Sequence, residues 1–445
     1  MKKYLIQVLS MLYMLIAAIS GHAQHQPLSL KDALQSAAKG NRPLHVQIME
    51  RIKAREAVQE AQSFRKPSVS ANASYTIYSE LPVIYLRNES SSPKVNDIKY
   101  GGRFALYSNI SAQYPILNPM LSSNVRLAKL TEMAENNKVR TIEESISYEI
   151  TRTYLSLLMN TEQKSVLYQS LQRNERALAD SRAFFLQGKS LKTDTLSHYI
   201  AVQNLKVAIS GLENEHSMAS SKLNLLMGAE EGTVYELTDK LIDHEQVHKL
   251  NLDSSTVTEA LKNRKDLKLL QTDLALAKEQ ALKFKSAFKP QLSMVASYEM
   301  QSQTDDMKFG NSPLARTSFV GLKLSIPVYS GGKKKVQNNI SDLTISQKEL
   351  MILEMNSQIM MELSNIEKNY QQALSELEIQ QASVEASQIK YNILYNRYSQ
   401  GLASRLELDD AELTLTKSRL SWLQASMNIK LLTLEWERAT GVLTL

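Results

Sequence analysis

The sequence predicts a mainly α-helical protein with a smaller β-barrel part and an internal two-fold repeat. Long segments place apolar residues three and four positions apart, whereas short segments alternate apolar and polar residues. In addition, residues 187–228 and 400–441 both begin with Gln-Gly and end with a glycine 40 positions after the first one. Because such self-similarity marks duplication of a supersecondary unit, we expect the same helical hairpin twice.

The composition fits a folded protein and excludes several function classes. Of the 445 residues, 43% are hydrophobic and 22% are charged, which is not the composition of a disordered chain. The net charge of +6 is not concentrated in a basic stripe with aromatic residues, so no nucleic-acid partner is expected. The chain has no cysteine, which excludes thiol catalysis, cysteine-based zinc sites, disulfides and a lipid anchor on cysteine.

Residues 1–24 have the pattern of a secretory signal peptide. Lys2 and Lys3 precede an apolar run from residue 4 to residue 19, and small residues follow. Cleavage is expected near residue 24. The alternative is an uncleaved membrane anchor, but this apolar core is short for a transmembrane helix.

The first repeat, residues 25–228, is expected to open with two helices. Ser29 and Asp32 have the spacing of a capping box at the start of the first helix. A second segment, roughly residues 44–64, is rich in good helix formers and ends before Pro67.

Two strands follow, because the apolar period changes to two. Residues 69–77 and 104–116 each place apolar side chains on one face and polar ones on the other. A polar loop, roughly residues 80–102, is expected between these strands. The apolar face carries Val69, Ala71, Ala73, Tyr75, Ile77, Phe104, Leu106, Ile110, Ala112, Tyr114 and Ile116.

An unusually long helical hairpin completes the first repeat. The outgoing helix is expected over about residues 119–185, a length of about 100 Å. Its apolar residues form a coiled-coil-like seam. The chain is expected to turn at Gly188 and to return over about residues 194–227. The seam consists of Val139, Ile142, Ile146, Ile150, Tyr154 and Leu157.

The same order is expected again in the second repeat, residues 255–445, after a connector at residues 229–254. Thr256 and Glu259 indicate the start of a helix that ends before Pro290. Strands are expected from about residue 292 and residue 320, separated by a polar loop. A second long helix with an apolar seam then turns at Gly401 and returns to residue 441.

The four strands of one chain require partners. Open strand edges are not tolerated inside a bilayer, and only a closed barrel satisfies all its backbone hydrogen bonds. Transmembrane barrels begin at about eight strands. If the apolar strand faces contact lipid, several chains must therefore contribute strands to one barrel.

These elements resemble the TolC-type outer-membrane efflux proteins, also called the outer membrane factor family. The resemblance covers essentially the whole chain after the signal peptide. It rests on the duplicated order of elements, on PIL at residues 115–117, on IPVYSGG at residues 326–332, and on YNILYNRYSQGLASRLELDDAELTL at residues 391–415.

The resemblance implies a homotrimer in the outer membrane. Three chains with four strands each would form a 12-stranded β-barrel, and the long helices would form an α-helical coiled-coil barrel, a tunnel through the periplasm. In this family the tunnel opens when a periplasmic adaptor (membrane fusion protein) and an inner-membrane pump of RND or ABC type dock. The implied function is the passive channel of a tripartite efflux or type I secretion system, with no enzyme activity and no cofactor.

The resemblance also implies a gate at the helix turns. Glu407 and Asp410 occupy the positions of the family's acidic rings, and Asp194 is the equivalent of Glu407 in the first repeat. The family's usual acid at position 407 is aspartate. Because Ala403 stands where the family can have arginine, Arg405 is the nearby candidate for a gate salt bridge. Three-fold symmetry would set each acid against its own copies in a narrow pore, where carboxylates select cations. The alternative is that these acids only stabilise helix N-termini.

Other features leave further alternatives. His244, Glu245 and His248 match the HExxH pattern of zinc hydrolases, but they lie in the connector without helical periodicity and without a third ligand. Lys333, Lys334 and Lys335 predict contact with outer-membrane lipid phosphate or with the adaptor, or solvation alone. The alternative function is an exported coiled-coil structural or adhesion protein, which does not need alternating strands.

Overall fold

The computed structural model describes residues 26–87, 95–241, 250–306, 313–400 and 402–445. The predicted signal peptide, the HExxH stretch and Gly401 lie outside the described residues. The chain forms two compact units. Residues 137–269 and 352–445 belong to the first unit together with the N-terminal segment to residue 48, and residues 49–136 and 270–351 form the second.

Before the connector, the described residues form four helices and five strands. In chain order they are β1 (Gln26–Leu28), α1 (Leu30–Gly40), α2 (Arg42–Ser63), β2 (Ser68–Ile77), β3 (Val83–Arg87), β4 (Val95–Lys99), β5 (Phe104–Leu117), α3 (Pro119–Leu186) and α4 (Lys192–Met227).

The elements from the connector onward follow a similar order. They are β6 (Tyr235–Leu237), α5 (Ser254–Asn263), α6 (Lys265–Ser286), β7 (Gln291–Thr304), β8 (Ala315–Ser325), α7 (Lys333–Ser399) and α8 (Arg405–Ala439). In both halves, two shorter helices precede two long strands, and a long helix and its return helix follow. Among the described residues, no helix combines the length and hydropathy needed to cross a membrane.

The second unit contains an antiparallel four-stranded sheet in the order β2-β5-β7-β8. The pairing register places the alternating residues of all four strands in phase, so Ala71, Ile110 and Tyr298 lie side by side across three strands. The predicted apolar face is therefore confirmed. It continues to β8, where Ala296 pairs with Val320.

The opposite face of this sheet is polar and internally hydrogen-bonded. The Ser70 and Ser111 hydroxyls lie 2.9 Å apart, and the Asn72 amide donates to the Asn109 side-chain oxygen at 3.1 Å. Near the end of β5 the pairing with β7 shifts register after Pro115. Proline has no backbone N–H for the ladder, so an irregularity at this position is expected.

One expectation about this unit was wrong. The segment 80–102 is not only a polar loop, because it contains β3 and β4, which form an antiparallel pair. The segment is polar on average, so the β-branched and aromatic residues 83–85 were not recognised as a strand. The two strand pairs β2–β5 and β7–β8 join into one sheet, since β5 pairs with β7 along nearly its full length.

In the first unit, the predicted seams of α3 and α7 are buried. Ile150 and Tyr154 are at most 1% exposed, as are Ile359 and Leu363 in α7. The Tyr154 hydroxyl donates to the Leu28 backbone carbonyl at 2.9 Å. This bond ties β1 to α3, and β1 in turn pairs in parallel with β6, a short strand that the connector's weak periodicity did not predict.

The start of the second repeat differs from the prediction. Asp253, not Thr256, caps α5, because its carboxylate accepts the Thr256 backbone N–H at 2.7 Å. The expected single helix is also divided in two at Arg264, whose ψ of 123° is not helical. A similar break occurs at Asn41 between α1 and α2. Both sides of the break at Arg264 are good helix formers, so composition alone did not reveal it.

The glycines that end the two repeats have the same packing role. Gly228 and Gly441 both have positive φ, at 71° and 73°. A Cβ on Gly228 would lie 2.0 Å from the Gly40 carbonyl oxygen, and one on Gly441 would lie 2.8 Å from the Asn263 carbonyl carbon. Each terminal glycine therefore lets a return helix end directly against the break between two short helices.

Candidate functional site at the helix turns

The turns between the long helices have the same backbone hydrogen bond. After α3, the Lys189 N–H donates to the Phe184 carbonyl at 2.9 Å, and after α7 the Leu402 N–H donates to the Arg397 carbonyl at 2.8 Å. Gly188 supplies the positive φ of 72° that this type of helix end requires. Its predicted role as a turn residue is consistent with this geometry.

Glu407 and Asp194 both lie in the first turn of a return helix. The Glu407 carboxylate accepts the Ser404 backbone N–H at 2.7 Å, and the Ser404 hydroxyl accepts the Glu407 N–H at 3.3 Å. The Ser404 backbone N–H and its hydroxyl, which donates to the same carboxylate at 2.9 Å, favour the charged form and hold the pKa of Glu407 below its usual range. Asp194 accepts the Leu191 N–H at 3.2 Å, but leucine offers no oxygen in return. Both acids therefore accept a backbone N–H at the start of a return helix.

Arg405 pairs with an acid that the sequence analysis did not single out. Its Nε lies 3.1 Å from an Asp409 oxygen, and its guanidinium lies 5.1 Å from the centre of the Tyr398 ring. Asp409 also lies 3.6 Å from Nε2 of His198, whose side chain is 4% exposed. Arg405, Asp409 and His198 thus join α4 to the start of α8.

Burial dominates the protonation of this cluster. It lowers the pKa of His198, although Asp409 and, more weakly, Asp194 oppose the effect, while Arg405 reinforces it. Burial also raises the pKa of Asp409, although Arg405 and His198 favour its charged form. His198 is therefore held as a neutral imidazole near neutral pH.

Asp410 faces a different partner. One of its oxygens lies 2.8 Å from Nζ of Lys390 on α7, and both side chains are about half exposed or more. The three acids Glu407, Asp409 and Asp410 thus have different partners. Glu407 is exposed and caps the helix, Asp409 belongs to a part-buried cluster, and Asp410 is exposed and pairs with a lysine of α7.

A buried polar network lies one turn further along α8. Glu412 is 8% exposed, and its carboxylate accepts Arg173 Nε at 2.5 Å and the Ser170 hydroxyl at 2.9 Å. Thr416 donates to the same carboxylate at 3.2 Å, and the Arg173 guanidinium lies 5.8 Å from the centre of the Tyr391 ring. The network connects α3, α7 and α8. Sequence reasoning missed it, although an acid between the apolar positions of α8 was a usable signal.

Arg419 adds a second connection among the same helices. It donates to the Gln169 side-chain oxygen and to the Gln388 side-chain oxygen, both at 2.7 Å. These contacts fix α8 against both outgoing helices. In the described ranges, no group of three or more histidine or acidic side chains is arranged to bind a metal ion. The chemistry available at the turns is that of charge and hydrogen bonding.

The chain thus contains two long helical hairpins and an antiparallel sheet with one apolar and one polar face. Residues 256–441 match the family model described as outer membrane efflux protein. This match lies within the second half of the chain and agrees with the resemblance to the TolC-type outer-membrane efflux proteins that the sequence indicates. No curated protein sequence is matched.

Solved structures of outer-membrane channels share the fold. The Campylobacter jejuni CmeC outer membrane channel superposes with a TM-score of 0.77 at 14% identity, covering 93% of this chain and 86% of that one. VceC, an outer membrane protein of Vibrio cholerae, gives 0.73 at 16% identity, covering 93% and 96%. The open Neisseria gonorrhoeae MtrE outer membrane channel gives 0.73 at 16% identity, covering 93% and 88%.

Proposed function

We propose that this chain is the outer-membrane channel of a tripartite efflux or type I secretion system, a passive conduit from the periplasm to the outside. The observation that carries the proposal is the four-stranded sheet with one apolar face, one polar face and two open edges. A lipid-facing surface outside and a hydrated surface inside are what a transmembrane barrel needs.

Closure of this sheet requires copies of the same chain. Within the described residues, β2 and β8 each pair with only one other long strand. Four strands are too few for a barrel, whereas three copies supply 12 strands through identical β8–β2 contacts. A cyclic homotrimer removes every open edge, which the bilayer demands.

The long helices extend the conduit into the periplasm as a helical tunnel. The sequence has no nucleotide-binding motif, so the energy for export comes from a partner. The partners are a periplasmic adaptor and an inner-membrane pump of RND or ABC type, and outer-membrane lipid surrounds the barrel. A coiled-coil structural or adhesion protein is a weaker candidate, because it has no use for a sheet with two different faces.

The first test is the mass of the particle extracted by detergent from isolated outer membranes, with the detergent contribution subtracted. Three chains per particle are expected. A water-soluble monomer or dimer would contradict the channel proposal, because its strands could not then close a barrel.

A matched pair of substitutions tests the orientation of the sheet. Val320 lies on the apolar face in the middle of β8 and is 71% exposed, and its neighbour Gly321 lies on the polar face with open space at its Cβ position. Val320→Lys places a charge in lipid, which costs about 2–4 kcal/mol near the midplane. We expect it to abolish membrane-inserted trimers, whereas Gly321→Lys leaves trimers intact and alters conductance. Equal effects of the two variants would contradict the assignment of the faces.

A further test distinguishes the effect of the acidic charges on the pore from the role of Glu407 in capping α8. Glu407→Ala combined with Asp410→Ala is expected to raise single-channel conductance in planar bilayers or to weaken block by cations. Glu407→Gln retains a side chain that can accept the Ser404 N–H, so it removes the charge with less damage to the cap. Unchanged conductance and block in both variants would leave these acids as helix-stabilising residues only.

A further inference from the structure

One end of the four-stranded sheet is bordered by unpaired positive charge. The register pairs Ser68 with Gln113, Leu117 with Leu292, and Gln291 with Ser325. The start of β2, the end of β5, the start of β7 and the end of β8 therefore lie at the same end. Adjacent strands are about 4.8 Å apart, so their flanking segments are close neighbours.

The segments at this end contain cations and no anions. Residues 61–70, 280–292 and 326–341 include eight lysines and arginines and not one aspartate or glutamate. We name this set the basic collar. It consists of Arg65, Lys66, Lys283, Lys285, Lys289, Lys333, Lys334 and Lys335.

The basic collar is available to a ligand. Seven of its members are exposed, and Lys283 is half-buried. Within the described residues, none of the eight forms an ion pair, whereas Arg126, Lys278 and Lys348 of the same unit all pair with carboxylates farther along the helices. The Lys334 ammonium lies 5.7 Å from the centre of the Phe288 ring, which holds it beside the α6–β7 junction.

The other end of the sheet lacks this bias. The described parts of the strand connections there, residues 78–87, 95–103, 305–306 and 313–314, contain three cations and four anions. Large apolar side chains also border the collar. Phe64 is 57% exposed, Val328 93% and Tyr329 87%. Exposed aromatic and apolar residues beside lysines are typical of the boundary between lipid and water.

We propose that the basic collar binds the phosphate groups of anionic phospholipids in the periplasmic leaflet of the outer membrane. This inference rests on the proposed channel function, which places the apolar sheet face in lipid. The collar lies where that face ends, so its cations meet the headgroups while Phe64, Val328 and Tyr329 contact the acyl boundary. Clustered basic residues next to a membrane segment attract anionic lipid in this way.

The test counts the lipids that remain on the detergent-extracted trimer by native mass spectrometry. The protein is equilibrated with equal amounts of phosphatidylglycerol and phosphatidylethanolamine at low salt. Each basic residue near an anionic surface strengthens binding about fivefold. Replacing Lys333, Lys334 and Lys335 by glutamine is therefore expected to weaken the preference for phosphatidylglycerol about tenfold or more.

A matched variant removes three cations at the opposite end. Replacing Lys99, Arg103 and Arg316 by glutamine is expected to leave the lipid preference within twofold of the unchanged protein. If the first variant does not assemble, replacing Arg65, Lys66 and Lys289 by glutamine tests the same collar at other junctions. Lys→Arg changes at positions 333–335 keep the charge and are expected to preserve the preference.

The outcomes separate this proposal from the channel proposal. Trimers that retain both lipids equally would overturn the collar's role and leave the channel intact. Loss of adaptor binding with unchanged lipid preference would also overturn it, because the collar would then be a protein-docking surface. Particles of one chain would contradict the channel itself.

Discussion

The two hairpin turns start their return helices alike but carry different charges. Asp194 and Glu407 occupy the same position and accept the same backbone N–H. Beyond them, the first turn has His198 where the second has Ala411, and it lacks a counterpart of Asp409. The position of an acid at the start of a helix therefore does not by itself indicate that the acid lines a pore. The residues one turn later distinguish the second hairpin, because they connect α8 to its neighbours.

The largest expected effect concerns the buried network of the second hairpin. Glu412→Ala would leave the Arg173 guanidinium without its carboxylate, at a cost of about 3 kcal/mol. The two side chains are only 11% and 21% exposed, so solvent screens the pair weakly. The equivalent residue in the first hairpin, Tyr199, is 46% exposed, and Tyr199→Ala is expected to cost much less. The measurement is urea unfolding in detergent, followed by helical circular dichroism.

A double variant provides the control for this network. Arg173→Met together with Glu412→Leu removes both charges and is expected to recover most of the lost free energy of unfolding. If Glu412→Ala and Tyr199→Ala lower the free energy of unfolding equally, the buried network does not make the second hairpin more stable than the first at this position.

The next effect tests the helix starts themselves. Ser404→Ala removes the hydroxyl that accepts the Glu407 N–H, and is expected to cost about 1 kcal/mol. Leu191→Ser would complete the corresponding capping box in the first hairpin, and is expected to gain up to about 1 kcal/mol. Urea unfolding measures both. A loss of stability with Leu191→Ser would show that packing of the leucine outweighs the missing cap.

The sequence predicted the elements that depend on local patterns. Alternation identified the apolar faces of β2, β5, β7 and β8, and three-four spacing identified the buried seams that include Ile150 and Ile359. It did not predict the break at Arg264 or the pairing of β5 with β7. These features depend on contacts between distant segments, which local periodicity does not contain.

The candidate site was predictable in position but not in role. The family pattern led to Glu407, Asp410, Asp194 and Arg405. It could not show that Glu407 is occupied by its own helix start, or that Asp409 is the acid nearest His198. Neighbouring side chains on one helix point in different directions, so their partners depend on the adjacent helices.

His198 allows a test by pH. Its pKa is lowered in the folded state, so the unfolded chain binds more protons once the pH falls below the ordinary histidine value of about 6.5. The folded state is therefore expected to lose stability as the pH decreases from about 6.5 through the lowered pKa. His198→Ala, which copies Ala411 of the other hairpin, is expected to remove this part of the pH dependence.

The measurement is the difference in melting temperature between the unchanged protein and the His198→Ala variant, taken at pH 7.5 and again at pH 5.5. Arg405 and Asp194 remain in both, so the change with pH reports the titration of His198 together with its coupling to Asp409. A difference that does not change with pH would mean that His198 contributes packing alone.

The smallest expected effect on stability concerns Asp410, which is exposed, unlike Asp409 and Glu412. Lys390 pairs with Asp410, and the equivalent positions in the first hairpin are Ala177 and Ser197, which form no such pair. Both partners are about half exposed or more, so Lys390→Gln is expected to cost at most about 0.5 kcal/mol, less in high salt. If Asp410 lines the pore as proposed, the effect on conduction is expected to be larger, because its carboxylate then has no counter-ion beside it. Increased cation selectivity in planar bilayers, with a nearly unchanged free energy of unfolding, would identify Asp410 as the acid that acts on ions. Small changes of similar size in selectivity and in stability would mean that Lys390 and Asp410 are only a surface ion pair.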